Sequence, residues 1–235
     1  MAVTEKFTTS SDVRSKLATV PASASQNDAG NDKLVELYRA ILRALPDRSC
    51  RVIEIIAAHP REGVSTVVRG LAAAAGAVGN ARVLVCDATP ERTSLRDLGL
   101  PALRGTLNDV AASQAELRSV IDPVANHGFA HCAVADPGSG SHVAVNLDIL
   151  DPIFGALRQQ FDLILIDAPS TNDGPLGPAL AKKCDGVILV VEAERTRSPV
   201  VTAAQRAIEI NGGRILGVVL NKRRFHIPPF VYRWL

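Results

Sequence analysis

Three groups of residues in this chain have side chains and spacings suited to holding a phosphorylated ligand. The first is Gly63-Val64-Ser65-Thr66, which follows an apolar run from Val52 to Ala58 and precedes an alanine-rich stretch. A strand, a tight turn and a helix start in that order gather backbone N–H groups and the positive end of a helix dipole at one place, where an anion is stabilised. The full signature of such a loop is G-x-x-x-x-G-K-[ST]. Here Ala58 stands at the first glycine and Val64 at the lysine, while Ser65 and Thr66 are kept. The second group is Asp87, which closes the run from Val83 to Cys86, and the third is Asp167, which closes Leu163-Ile-Leu-Ile. Carboxylates at the C-terminal ends of parallel strands lie where open α/β sheets bind ligands. An Asp placed like Asp167 holds Mg²⁺ in phosphoryl-transfer proteins. Asp87 reads equally as a cap on its own turn, and Ser65 as an ordinary first-turn helix residue.

Those residues need a scaffold. Apolar runs at 52–58, 83–86, 163–166, 186–191 and 215–220 alternate with helical patterns at about 65–78, 147–160 and 199–211. Strands alternating with helices imply right-handed βαβ units and a parallel sheet. The expected fold is therefore α/β, a doubly wound, mostly parallel sheet flanked by helices. Shorter helices are expected at about 106–112 and 114–121, and a short strand at 131–135. Residues 31–45 read as an amphipathic helix, with Asp32 as its cap and Leu34, Leu37, Tyr38, Ile41, Leu42 and Leu45 on one side. Residues 1–30, rich in Ser, Thr, Ala, Asn and Asp, lack the apolar surface to offset ordering entropy and read as disordered or loosely attached. The expected domain spans 31–221, and 222–235 forms a tail.

The totals narrow the function classes. A net charge of +2 is too small to argue for nucleic acid, and none is expected as a partner. Cys50, Cys86, Cys132 and Cys184 make no C-x-x-C pair, so they read as reduced, mostly buried thiols of a cytosolic protein. His127, His131 and His142 lack the spacing of a helical metal pair and read as surface or core residues. No apolar run reaches the 18 or so residues of a membrane span. The tail mixes cations with Phe225, Phe230, Tyr232 and Trp234. It reads either as a strap on its own domain or, through Arg223, Arg224, Phe230, Tyr232 and Trp234, as a contact with a membrane surface or partner.

Together these segments resemble the cytoplasmic bacterial tyrosine kinases of capsule and exopolysaccharide assembly, a branch of the Min/Par-like deviant P-loop ATPases. The family loop resembles S-x-x-P-G-E-G-K-S-T, of which Pro60, Glu62, Gly63, Ser65 and Thr66 are kept. The family's second acidic motif, D-A-D-x-R-x-P-S-L, keeps Asp87 but has Thr89 at its second Asp. Phe161 through Pro169 is similar to the family's Y-D-x-x-I-I-D-x-P-P. Asn221 matches its adenine-facing Asn, and Glu36, Arg39 and the displaced Arg43 partly match its oligomer motif E-x-x-R-x-x-R.

The resemblance implies an ATP or ADP site formed by Pro60, Arg61, Glu62, Gly63, Val64, Ser65, Thr66 and Asn221. It implies Mg²⁺ held by Ser65 and Asp167, with Asp87 and Asp167 as vestigial or weak catalytic groups. Val64 removes a cation, Thr89 a carboxylate, and the single tail tyrosine replaces a cluster of phosphorylated ones. Losing a preorganised electrostatic contact in the transition state costs ~10²–10³ in rate. The expectation is a homo-oligomeric, cytoplasmic pseudokinase, either free or peripheral at the inner face of the plasma membrane. It would regulate or scaffold a membrane polysaccharide co-polymerase (a chain-length regulator) or a related kinase, with weak or no ATP hydrolysis. Two alternatives are an active autokinase, with Arg61 or a neighbouring subunit replacing the lysine, and a membrane-associated positioning ATPase.

Overall fold

Consecutive branched apolar residues leave no strand face for water, so Leu163 to Ile166 demand cover on both sides. The computed structural model, which describes residues 17–19, 28–89, 105–124, 128–135 and 147–222, provides it. The described strands are β1 (Leu17–Thr19), β2 (Arg51–Ala57), β3 (Val83–Asp87), β4 (Asp122–Val124), β5 (Phe129–Ala133), β6 (Leu163–Asp167), β7 (Gly186–Glu192) and β8 (Ile215–Asn221). They form one sheet in the order β1-β8-β7-β2-β6-β3-β5-β4. Every pairing is parallel except that of β4 with β5.

The described α-helices are α1 (Asp28–Ala44), α2 (Val64–Gly79), α3 (Leu107–Ala111), α4 (Asp151–Gln160), α5 (Leu176–Leu180) and α6 (Ser198–Ile210). Side-chain alternation along β2 sorts the layers. Ile53 and Ile55 pack with Leu34, Leu37 and Ile41 of α1 and Val68 and Leu71 of α2. Val52 faces the other way, with Phe154 and Leu157 of α4. Ile56 faces that way too, with Ala204 and Ile208 of α6. The α1–α2 contact is close at Gly79, where an added Cβ would lie 2.6 Å from the Tyr38 hydroxyl oxygen. Burial raises the Tyr38 pKa.

Several local expectations are corrected. Helix α1 begins at Asp28, so Asp32 lies within it rather than capping it. Leu17–Thr19, inside the segment expected to be unstructured, pairs with the edge of β8. The helix expected at 114–121 is only a 3₁₀ turn, Leu117–Val120. The chain leaves α3 through Ser113 at φ 57°, a left-handed conformation that ends helical winding. The first turn of the helix expected at 147–160 is also 3₁₀, and α4 proper starts at Asp151 with a proline in its first turn. The short strand expected at 131–135 is β5, two residues earlier.

Cys50, Cys86 and Cys132 are buried free thiols and Cys184 is half-buried. Burial pushes Cys50 up to about 11. At the N-terminal edge of the sheet, Asp185 accepts hydrogen bonds from Arg158 Nη1 (2.7 Å) and the Val52 N–H (2.8 Å), tying β2 to the entry of β7.

Candidate nucleotide site

Strands β2 and β6 are neighbours whose onward connections run in opposite directions. From β2 the chain crosses through α2 to β3, beyond β6. From β6 it crosses through α5 to β7, beyond β2. Such a divergence opens a crevice at the strands' carboxyl ends. Into that edge the register brings Asp167 level with Ile55 of β2 and with Asp87 of β3. The Ala88 N–H donates to the Asp167 carbonyl at 2.9 Å, and the Ala168 N–H to the Ile55 carbonyl at 3.1 Å. Two residues beyond Ile55 the strand ends, and the loop 58–63 leads into α2.

The loop has left-handed turns at Arg61 (φ 67°) and Gly63 (φ 98°). Arg61 therefore holds, at a cost of roughly 1 kcal/mol, a conformation that glycine adopts freely. Gly63 is the residue before α2. A Cβ there would lie 2.0 Å from Asn221 Nδ2, so only glycine lets β8 come this close. Asn221 Nδ2 donates to the Glu62 carbonyl at 2.9 Å, which makes Asn221 a tether of the loop in this structure.

Glu62 itself turns inward. Its Oε2 accepts from the N–H groups of Ala58 (3.1 Å) and His59 (3.2 Å), and its Oε1 from the Glu192 N–H (3.4 Å) and the Thr196 hydroxyl. The loop is thus bound to the ends of β7 and β8 through side chains far away in sequence. Lys222 adds another tie, donating to the Arg61 carbonyl and lying 3.4 Å from Glu192 Oε2. None of Glu192, Thr196 and Lys222 stood out in the sequence as loop residues. Their signal was only position, at or just past strand ends that reach the same edge.

The other predicted residues fall as follows. Pro60 and Arg61 are exposed on the loop; Val64, Ser65 and Thr66 are half-buried in the first turn of α2. Val64 packs against the α1–α2 core. Asp87 is 1% exposed, and its Oδ1 accepts from the Thr89 N–H (2.8 Å) and hydroxyl (2.6 Å). Thr89 thus spends its hydroxyl on the first carboxylate of a motif whose second carboxylate it replaces, and Asp87 caps its own turn. Asp167 is fully buried at the end of β6. Ser65 and Asp167 offer a hydroxyl and a carboxylate oxygen, a donor set that suits Mg²⁺, so the residues present fit the ion.

Glu36, Arg39 and Arg43 are exposed on α1. Arg223, Arg224, Phe230, Tyr232 and Trp234 lie outside the described residues, as do His127 and His142; His131 is buried in β5. Among the described residues no group of three His, Cys, Asp or Glu side chains could hold a metal. No helix there is long and apolar enough to cross a membrane.

No family model matches the chain. Its relatives are nonetheless informative. It is 28% identical over 205 residues to the succinoglycan biosynthesis transport protein ExoP of Rhizobium meliloti, covering 83% of this chain and 26% of that protein. It is 37% identical over 67 residues to the tyrosine-protein kinase CpsD of Streptococcus agalactiae, covering 28% of this chain and 29% of that one. The chain is thus similar in sequence to bacterial tyrosine kinases over part of its length. The fold agrees: the kinase domain of the Escherichia coli tyrosine kinase ETK superposes with a TM-score of 0.75 at 18% identity, covering 90% of this chain and 92% of that one. Each curated match spans less than a third of the relative's length.

Proposed function

We propose that this kinase relative is a degenerate member, a pseudokinase subunit of polysaccharide biosynthesis and export that regulates or scaffolds a membrane polysaccharide co-polymerase and turns over ATP weakly or not at all. The observation that carries the reading is Val64. At the position where the resemblance expects the phosphate-binding lysine, the side chain is apolar and packs against the α1–α2 core. Thr89 adds to it, because its hydroxyl is committed to Asp87. The loop's shape favours retained nucleotide binding: a glycine at the helix start, a serine in its first turn and buried carboxylates on neighbouring strand ends keep the parts that bind, while the part that speeds transfer is gone. Binding can outlast catalysis here because backbone N–H groups at the helix start still hold a phosphate, while the missing cation weakens binding and removes a contact that stabilises developing charge.

The partner assignment is supported by the relatives, one of them a biosynthesis transport protein of which the matched region is only 26%. Homo-oligomerisation is supported by the exposed Glu36, Arg39 and Arg43 on α1. The test is ATP turnover by purified protein, alone and with Asp167→Ala. We expect turnover no higher than in the variant. Sustained turnover that Asp167→Ala abolishes would favour the active autokinase instead. Calorimetry with ATP and Mg²⁺ on Val64→Lys should show tighter binding than wild type, by roughly tenfold or more for one charge-assisted contact regained.

A further inference from the structure

We propose that Lys222, reaching in from the end of β8, gives the loop a cation that binds the phosphate chain of a nucleoside triphosphate. The contact is made with the bound ground state and does not restore the transfer-speeding lysine missing at Val64. The inference rests on nucleotide binding in the reading above and adds to it the residue that meets the charge.

Three features place Lys222 there. The chain turns at Lys222 with φ 55°, uncommon for a residue with a side chain, directly after the Asn221 that tethers the loop. Its stem passes over the start of α2: Cε lies 4.0 Å from the point a Cβ on Gly63 would occupy. Its ammonium rests on the Arg61 carbonyl and near Glu192 Oε2. The same Glu192 oxygen lies 3.4 Å from Arg195 Nη1, so one carboxylate serves two cations and neutralises neither fully. The Lys222 side chain keeps 34% of its exposure. A lysine is a compact point charge on a flexible four-carbon stem and a common phosphate binder. A carbonyl and a shared carboxylate hold it less firmly than a phosphate chain carrying several charges. Lys222 is therefore parked on the loop's own backbone, from which a phosphate chain would draw it off.

The experiment measures the affinity of the full chain for ATP, ADP and AMP with Mg²⁺ by calorimetry, for wild type, Lys222→Ala, Lys222→Arg and Glu192→Gln, with thermal unfolding of each variant without ligand. Lys222→Ala should weaken ATP by roughly tenfold or more, the order expected for a lost charge-assisted hydrogen bond. ADP should weaken less and AMP hardly at all. Lys222→Arg should retain most of the affinity, and Glu192→Gln, which releases the ammonium from its counter-ion, should tighten ATP. If Lys222→Ala proves unfolded, Lys222→Gln takes its place. Wild-type binding of ATP that Lys222→Ala leaves unchanged or tightens would overturn the inference and leave nucleotide binding standing. Absence of ATP binding by wild type at millimolar concentration would overturn both.

Discussion

Glu54 and Glu62 belong to the same strand-and-loop unit and are 0% and 2% exposed. One lies mid-strand in β2, level with Ile166 of β6 and Val187 of β7. Its carboxyl oxygens find no hydrogen-bond partner among the described residues. The other closes the loop and accepts from two backbone N–H groups of the loop, a third from the end of β7 and a hydroxyl. Burial alone therefore says little about what a carboxylate does. Glu62 replaces water with donors it holds in place, so its burial shapes the loop. Glu54 lost water and gained nothing, and burial holds its pKa well above the ordinary carboxyl value.

The comparison can be broken most decisively at Glu62. Glu62→Ala leaves its donors without their acceptor, and removing one member of a charged network strands the others. We expect a loss of about 3 kcal/mol in urea unfolding, and loss of whatever nucleotide affinity the wild type shows. Glu62→Gln keeps the shape and should lose less. A Glu62→Ala protein as stable as wild type would mean the loop is held by Asn221 and Lys222 alone.

Glu54→Met should act in the opposite direction. Replacing a buried, unpaired acid by an apolar side chain of similar size is expected to stabilise by about 1–3 kcal/mol near neutral pH. The pH dependence fixes the cause. A group whose folded pKa is raised gives its full stability below its unfolded value, 4.5, and loses it as pH rises through the folded value. Wild type should therefore weaken relative to Glu54→Met as pH climbs above 4.5, and the gap should narrow in acid to the cost of a neutral carboxyl without a partner. A gain independent of pH would point to packing instead.

The smallest effect tests whether Glu62's grip forces Arg61 to φ 67°. Arg61→Gly relieves the left-handed cost but adds unfolded-state entropy. The net gain should be about 0.5–1 kcal/mol, read as a rise in melting temperature. A loss would mean that the Arg61 side chain makes a contact worth more than its strain.

The alternating arrangement of the sheet was readable because buried parallel strands announce themselves as unbroken branched apolar runs, as at Leu163 to Ile166. Among the short elements, β5 and the helix at Leu107–Ala111 were readable to within two residues, but β1 and β4 were not. Asp122-Pro-Val has no such run, and its antiparallel pairing with β5 comes from tertiary context. The meeting of Asp87 with Asp167 followed from their places at strand ends, where register does the aligning. Glu62 was read as a nucleotide-loop residue, but its inward turn was hidden, because Glu192 and Thr196 lie 130 and 134 positions away. Lys222 was assigned to the tail, since nothing local distinguishes a lysine after a strand from one that doubles back.

That last tie gives the molecule a lever. Asn221 and Lys222 grip the loop by the Glu62 and Arg61 carbonyls, and the next residues in sequence open the basic and aromatic segment 223–235. Two side chains therefore connect the end of β8 to the loop 58–63 without passing through the hydrophobic interior. Helix α1 reaches the same loop by a separate route, through its packing on α2 and on Val64.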